Sequence, residues 1–545
     1  MLHGSKYPHA VPLARALPPL ASRASAGVGS APSDGAGGSM LDTVPWGSDL
    51  RAVADAHGAA VAVHDGTRDL TFRDMADRAF RVAAVLAARG IAPGTPVATS
   101  LRNSLPAVWT TVGLRVAGVA DAALNATYTE AERRHALTLA GARLVITTEE
   151  EAAAFRDLGC EVLTVEALAD APAAGVPVPP PVPADAWGRI GFTSGTTGAP
   201  KAIITTHGAR FIGNLLQRAS WTHMPGPGDR VLLMTPFVHG AGILAHAFND
   251  RGAGAVLLDG VDMAVVSRLL EDAAVNHIFA PPTVLAKIVG ACEGRRFDFI
   301  RTVFCGTAPL PRALYERARA VFGPVVRVTY GKSEINNPIA SLEPEQTDAY
   351  YAEPAGEGVC VGFPGSGVEI ALREADGAPC APGETGEVHL RGRHMSAGYK
   401  DAAGFHAWPA DGFHPTGDLG RIDAAGRLHL VGRLADVIKS GGYKIHPDEI
   451  EQALAATATV CVLSLPSGYW GEVIVAVGET EDPGWPDRAR AALGVLSRHK
   501  HPRAFLTMKE LARNKQGKVM RRLIRDEVLA SYRLVDGPRP ALEPR

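Results

Sequence analysis

The chain has 545 residues, which is too long for one ordinary domain and predicts two to four domains with large cores. Hydrophobic residues make up 46% and charged residues 21%, the profile of a soluble globular protein. The formal net charge of −2 argues against a general attraction to nucleic acids or anionic membranes, and no apolar run is long enough to span a bilayer.

The first 40 residues are rich in Ala, Gly, Pro and Ser and poor in acids. This composition predicts a disordered extension, with a true start at Met40 or a transit peptide as the alternatives. The six cysteines are scattered, without a Cys-x-x-Cys pair or a zinc pattern, which fits a reduced cytoplasmic compartment.

From Leu41 onwards, amphipathic helices alternate with short apolar strands, which predicts an α/β fold with stacked sheets and parallel strands. Near Gly432 the pattern changes to a compact α+β order. We therefore expect a large domain at 41–432, a small domain at 433–533 and a disordered tail at 534–545. The helix–strand pairs that carry the first pattern are 73–89 with 95–99, 130–139 with 143–147, and 263–274 with 278–280.

The most informative segment is the run TSGTTGAPK at residues 193–201. A phosphate site needs converging backbone N–H groups, hydroxyl donors and a cation. Gly195 and Gly198 let the backbone approach an anion closely, and Lys201 supplies the charge. The hydroxyl donors are Ser194, Thr196 and Thr197. Strand-like residues on both sides predict a strand–loop–strand, which differs from a Walker A loop.

This run resembles the phosphate loop of the adenylate-forming superfamily of acyl-CoA synthetases, adenylation domains and luciferases. Other family-like segments follow in the same order, so the resemblance covers roughly residues 45–530. It implies a large multi-layer domain that binds ATP and an acid, followed by a small mobile domain, and it gives Thr193 a catalytic role in the loop.

Two further segments resemble the family's nucleotide-binding parts. The first, an adenine wall, consists of Gly306, Thr307 and Ala308. The second, YGKSE at 330–334, resembles the family's YGxTE segment. The resemblance assigns adenine stacking to Tyr330, an α-phosphate contact to Ser333 and Mg²⁺ binding to Glu334.

The resemblance also assigns the ribose and the hinge between the domains. Asp418 corresponds to the aspartate that holds the ribose hydroxyls, and Arg433 to a second ribose and phosphate contact. Asp436 stands at the hinge. Gly441 and Gly442 correspond to a loop that faces the pantetheine thiol in acyl-CoA synthetases, with an ordinary turn before the next helix as the alternative.

Lys518, in the segment NKQGK, resembles the family's catalytic lysine. It lies in a stretch, 498–525, with ten Lys and Arg residues and one acid. Because no aromatic interleaving accompanies these charges, we expect them to meet the phosphates of ATP or CoA rather than a nucleic acid.

Four residues are expected near the acid substrate: His239, Gly240, Lys332 and Asn336. A buried lysine is costly unless it is paired, so Lys332 either meets an anionic or strongly polar substrate or extends to solvent. A single histidine in an apolar segment is either a pocket residue or a structural one, and both interpretations of His239 stay open.

Together these features predict an ATP- and Mg²⁺-dependent ligase that converts a carboxylic acid into an acyl-AMP and transfers it to a thiol, with CoA as the expected co-substrate. A carrier protein is an alternative acceptor. Nitrite activation for aryl amine diazotisation, amide formation, a silent nucleotide-binding homologue and a dinucleotide-dependent oxidoreductase are the other readings. The last lacks its Gly-x-Gly-x-x-Gly motif, and the charged positions argue against a silent homologue.

Overall fold

The computed structural model describes residues 42–171, 177–193, 201–354, 358–514 and 517–545. Five predicted phosphate-loop residues lie outside this described part: Ser194, Gly195, Thr196, Thr197 and Gly198. The predicted extension at 1–40 lies outside it as well. Strands in the described part form three larger sheets and two short two-stranded pairs.

The first sheet has eight strands in the described part, with a parallel centre and an antiparallel edge. In spatial order its strands are Gly404–Ala407, Gly398–Asp401, Lys201–Thr206, Trp187–Thr193, Ala120–Leu124, Pro96–Ser100, Leu144–Thr147 and Glu161–Thr164. The parallel strands at its centre adjoin antiparallel ones, since Trp187–Thr193 pairs antiparallel with Lys201–Thr206.

The second sheet has thirteen strands in the described part and also mixes parallel and antiparallel pairs. Its strands are Val368–Arg373, Gly386–Gly392, His414–Ile422, Leu428–Arg433, Val359–Pro364, Ile335–Leu342, Val326–Lys332, Thr302–Gly306, His277–Phe279, Arg230–Leu233, Gly254–Leu257, Val61–His64 and Asp69–Thr71. One apolar core contains residues of both sheets, for example Val97 and Ile146 of the first and Val231 and Leu257 of the second. The predicted stacking of sheets in the large region is thus confirmed.

Helices cover the faces of these sheets. Phe72–Ala88 shows why they form: the Thr71 side chain accepts a hydrogen bond from the Asp74 backbone, and apolar residues at helical spacing are buried. The helices of the described part are Trp46–His57, Phe72–Ala88, Leu105–Ala117, Glu130–Ala140, Glu149–Arg156, Val165–Asp170, His207–Ala219, Gly242–Asn249, Met263–Glu271, Pro282–Ala291, Arg312–Phe322, Pro344–Ala352, Pro447–Leu454, Trp485–Ala492 and Arg521–Ser531. In the part of the chain that the structure describes, none of them has the length and apolarity needed to cross a bilayer.

The large sheet ends in sequence at Arg433, and a third sheet begins at Ile438. Its five strands in the described part are Tyr443–Ile445, Ile438–Ser440, Gly471–Glu479, Thr459–Ser467 and Ala504–Met508. The tail at 534–545, expected to be disordered, instead takes part in a hairpin in which Tyr532–Val535 pairs with Ala541–Pro544. The prediction was wrong because apolar side chains of this hairpin pack on the core of the third sheet and hold it there. These side chains are Tyr532, Leu534 and Leu542.

Candidate active site

The phosphate loop leaves one strand and enters its neighbour. Trp187–Thr193 and Lys201–Thr206 pair antiparallel, with Thr193 opposite Lys201. This confirms the predicted strands on both sides of the loop. The Lys201 ammonium lies 4.2 Å from the centre of the Tyr399 ring, which is a cation–π contact.

The adenine-wall segment follows the strand Thr302–Gly306. A Cβ atom on Gly306 would lie 2.7 Å from the Thr329 carbonyl oxygen, so the two strands can approach this closely only with glycine there. Thr307 adopts a left-handed conformation with φ of 72°, and Ala308 follows in the same turn. Such conformations cost free energy and concentrate at functional sites.

Asp418 is the centre of a buried charged cluster, which we call the Asp418 cluster. Arg433 lies opposite Asp418 on the neighbouring strand, and its Nε is 3.2 Å from one carboxylate oxygen. The Tyr330 hydroxyl and the Lys332 ammonium both donate to the other oxygen. Burial alone would raise the pKa of Asp418, but Lys332 and Arg433 lower it below its usual value. The carboxylate is therefore ionised at neutral pH.

Lys332 belongs to this cluster. Its Nζ donates to the Thr416 carbonyl at 2.8 Å and lies 3.2 Å from Asp418, and its side chain is 9% exposed. The expectation that it extends to solvent is wrong, because the Asp418 carboxylate compensates its burial. Its anionic partner in this structure is a residue of the protein itself.

Lys518 is brought to the same cluster from near the end of the chain. Arg433, Asp418, Lys332 and Asp436 all act on its charge: burial and Arg433 lower its pKa, whereas Asp418 raises it. The turn that carries it approaches the large region, since a Cβ on Gly517 would lie 3.8 Å from Thr283 Oγ1. The charge of the predicted ribose aspartate therefore acts on the lysine.

Glu334 and Ser333 form the turn between two strands of the large sheet. Ser396 fixes this turn, since both its backbone N–H and its hydroxyl donate to the Glu334 carbonyl, at 2.9 and 2.7 Å. In the described part of the chain, no ion pair engages the Glu334 carboxylate. Asn336 donates to the His394 carbonyl and packs beside Gly213, so it lines a helix contact.

His239 and Gly240 lie in the single turn Phe237–Ala241. The His239 ring is half-buried, and burial together with the nearby Arg189 charge lowers its pKa to about 4. The ring is therefore neutral at pH 7. Phe279 lies against Gly240, where a Cβ would be 3.4 Å from its ring.

Asp436, the predicted hinge residue, is held by an arginine that the sequence analysis did not single out. Arg521, the first residue of the last helix, donates to Asp436 and to the Val462 carbonyl, and lies 2.9 Å from Glu451. Burial opposes its charge, but Glu451 and Asp436 raise its pKa. The sequence feature that could have identified Arg521 is its position three residues after the predicted catalytic lysine, Lys518.

The Gly441–Gly442 turn is exposed and has positive φ angles of 57° and 85°. A Cβ on Gly441 would lie 3.0 Å from the Trp470 ring. Glycine suits both positions, because other residues rarely adopt such φ angles.

Residues 50–400 match the family model described as AMP-binding enzyme. The chain is 31% identical over 483 residues to a sulfoacetate–CoA ligase of Cupriavidus necator, covering 84% of this chain and 92% of that protein. It is also 31% identical over 427 residues to a feruloyl-CoA synthase of Amycolatopsis, covering 77% and 85%.

Among solved structures, the chain resembles the o-succinylbenzoate CoA synthetase of Bacillus subtilis. With its acyl-adenylate intermediate, that enzyme matches with a TM-score of 0.79 and 26% identity, covering 89% of this chain and 99% of that one. With ATP and a magnesium ion it matches with a TM-score of 0.76, at 27% identity and with coverages of 88% and 99%.

Proposed function

We propose, from the premise that this chain belongs to the AMP-binding enzyme family, an assignment of its residues to the two half-reactions of an acid–CoA ligase. The chain is an AMP-forming acid–thiol ligase, which uses ATP to activate a carboxylic acid and transfers the acyl group to CoA. The observation that carries the assignment is that Lys518, near the end of the chain, lies close enough to Asp418 for the charge of the aspartate to act on the lysine.

In the first half-reaction, a carboxylate oxygen of the acid attacks the α-phosphorus of ATP, and pyrophosphate leaves. Catalysis of this step is mainly positioning and charge neutralisation. Asp418 and Arg433 hold the ribose, Tyr330 and the 306–308 turn contain the adenine, and the loop at 193–201 binds the phosphates. Lys518 lies where its ammonium stabilises the developing negative charge.

We propose Glu334 as the protein's ligand for Mg²⁺. Its carboxylate is fixed through its backbone by Ser396 and has no ion-pair partner in the described residues. No group of three metal-ligating side chains occurs in that part of the chain. One carboxylate fits magnesium, which keeps several waters and binds substrate phosphates. The ion neutralises phosphate charge when bound.

In the second half-reaction, the thiol of CoA attacks the acyl carbonyl carbon of the acyl-AMP, loses its proton and forms the thioester, while AMP leaves. We propose that residues from 437 onwards rotate about Asp436, which withdraws Lys518 and brings Gly441 and Gly442 to the thiol. Arg521 supports this assignment, because its contacts with Asp436 and Glu451 hold the hinge to the first helix and last helix of this region. We also propose a cytoplasmic location, since all six cysteines are free thiols.

The acceptor is tested by measuring pyrophosphate release over a panel of acids, with and without CoA. Release with an acid and thioester formation with CoA are the expected results. Release that requires nitrite together with an aryl amine would contradict the proposal, as would acyl transfer to a carrier protein but not to CoA.

A further inference from the structure

Two arginines, Arg189 and Arg210, lie in the interior of the large region. Arg189 is in the strand Trp187–Thr193, opposite Asp121 of the neighbouring strand, and Asp121 is in turn opposite Val97. Paired residues of neighbouring strands point to the same face of a sheet. Arg189 therefore shares the face of Val97, which packs into the core between the two large sheets.

Arg189 contacts the turn that carries His239, and Arg210 contacts the strand that carries Arg189. An Nη of Arg189 donates to the carbonyl of Val238, the residue before His239. Arg210 Nη1 donates at 2.5 Å to the carbonyl of Gly188, the residue before Arg189. All three side chains keep part of their surface accessible although protein surrounds them.

The positive charge of this group, which we call the Arg189–Arg210 pair, is not balanced by a direct ion pair among the described residues. In the described part of the chain, no acid lies within 4.0 Å of either guanidinium. Asp121 is the acid whose charge acts on Arg210, and its carboxylate accepts from Thr99 at 3.2 Å. The sequence of residues 194–200, SGTTGAP, contains no acid either.

The surroundings make this charge more costly. Arg115, a third nearby cation, has its own partner in Asp250 at 3.3 Å. Arg210 is close to the N-terminal end of the helix His207–Ala219, which has no acid in its first turn and whose dipole disfavours a cation. Burial and Arg189 lower the pKa of Arg210 to about 9. A buried cation without a partner is unfavourable unless a ligand brings the anion.

We propose that Arg189 and Arg210 bind a second anionic group of the acid substrate. The enzyme then activates one carboxylate of a small acid whose other end carries an oxyanion, either a second carboxylate or a sulfonate. Guanidinium groups match such oxyanions with two parallel hydrogen bonds. This inference rests on the proposed function, because it requires the acid to bind beside His239.

The test compares matched acids in a pyrophosphate-release assay: succinate with butyrate, glutarate with pentanoate, 3-sulfopropionate with pentanoate, and terephthalate with 4-methylbenzoate. We expect the best dianion to exceed its matched monoanion in kcat/KM by on the order of 10- to 100-fold, the range of charge-assisted hydrogen bonds. Arg189→Met and Arg210→Met should each lower that ratio by about tenfold or more.

Arg317→Met is the matched control, since it makes the same chemical change at an exposed position. Arg189→Lys and Arg210→Lys keep the charge but lose the paired hydrogen bonds. We therefore expect them to give dianion-to-monoanion ratios between those of the wild type and the methionine variants, and they replace the methionine variants if those fold poorly. A preference for monoanions in every pair, or a ratio that the substitutions leave unchanged, would overturn the inference while leaving the ligase intact. Absence of release with every acid, in the panel and in a wider screen, would contradict the proposed function instead.

Discussion

Two groups of buried cations in this chain differ in how their charge is balanced. In the Asp418 cluster, Lys332 and Arg433 both lie 3.2 Å from the same carboxylate. In the Arg189–Arg210 pair, the guanidinium contacts that the structure describes are to backbone carbonyls. Buried charges are stable only when they are paired and hydrogen-bonded. The first group is complete within the protein, and the second calls for an anion from outside.

This difference indicates which of the two groups determines substrate specificity. The Asp418 cluster holds its geometry without a ligand, which suits a site for the nucleotide, the substrate that all relatives in this family share. The Arg189–Arg210 pair is adjacent to His239, where the family resemblance places the acid. Two relatives that each share 31% identity are described as acting on sulfoacetate and as making feruloyl-CoA, so overall identity does not determine the acid.

The largest effect is expected from breaking the Asp418 cluster. Asp418→Asn leaves Lys332 without its anion inside the protein, and removal of one partner of a buried pair costs about 3–5 kcal/mol of unfolding free energy. Arg210→Met, which removes a cation without a matched acid, should cost less. Chemical denaturation of both variants measures the difference, and a larger loss in Arg210→Met would refute the comparison.

Lys518→Ala tests the catalytic part of the same cluster. We expect adenylation, measured as pyrophosphate release, to slow by a factor on the order of 10²–10³, as for the loss of one preorganised donor. Thioester formation from supplied acyl-AMP should change little. Lys509→Ala, at an exposed lysine nearby in sequence, is the control. Equal damage to both half-reactions would show that the lysine has another role.

Low pH should destabilise the region around the Arg189–Arg210 pair, because protonation of His239 adds a cation near Arg189. The folded-state pKa of His239 is about 4, against 6.5 in an unfolded chain. Between these values the unfolded chain binds more protons, so the stability is fully present above pH 6.5 and is lost as the pH falls towards 4. The difference corresponds to on the order of 3 kcal/mol.

Denaturation midpoints across this pH range measure that loss in the wild type and in His239→Gln. The variant should show a shallower decline, because it has no ring to protonate. His64→Gln, at an exposed histidine paired with Asp69, serves as the control. Identical declines in the wild type and His239→Gln would mean that other groups cause the acid sensitivity.

The smallest effect is expected for Lys332→Met on acid choice. Because the lysine contacts Asp418 and the Thr416 carbonyl, its loss should raise the KM for ATP. The ratio of kcat/KM for dianions to that for monoanions should stay within about twofold of the wild-type ratio, a change of less than about 0.5 kcal/mol. A large fall in that ratio would contradict this prediction and show that Lys332 contacts the acid substrate.

Local patterns in the sequence predicted much of this architecture. The helix at Phe72–Ala88 was expected at 73–89 from its apolar spacing alone. The strands on both sides of the phosphate loop were expected from their apolar residues. Arg433 was placed with Asp418 by family resemblance, and the antiparallel pairing of their strands explains the spacing between them.

Contacts between residues far apart in the chain could not be predicted from the sequence. The partner of Lys332 is 86 positions away, and the strand register that buries Arg189 joins it to Asp121. Neither separation leaves a periodic signal. A visible sign was nevertheless present, since an arginine inside the apolar strand Trp187–Thr193 needs a reason to be buried.

The most direct test of the central claim is a crystal structure with ATP and magnesium. We predict the triphosphate in the loop at 193–201, the ribose on Asp418 and the Lys518 ammonium within hydrogen-bond distance of a phosphate oxygen. A nucleotide bound elsewhere, with Lys518 and Asp418 apart from it, would contradict the account.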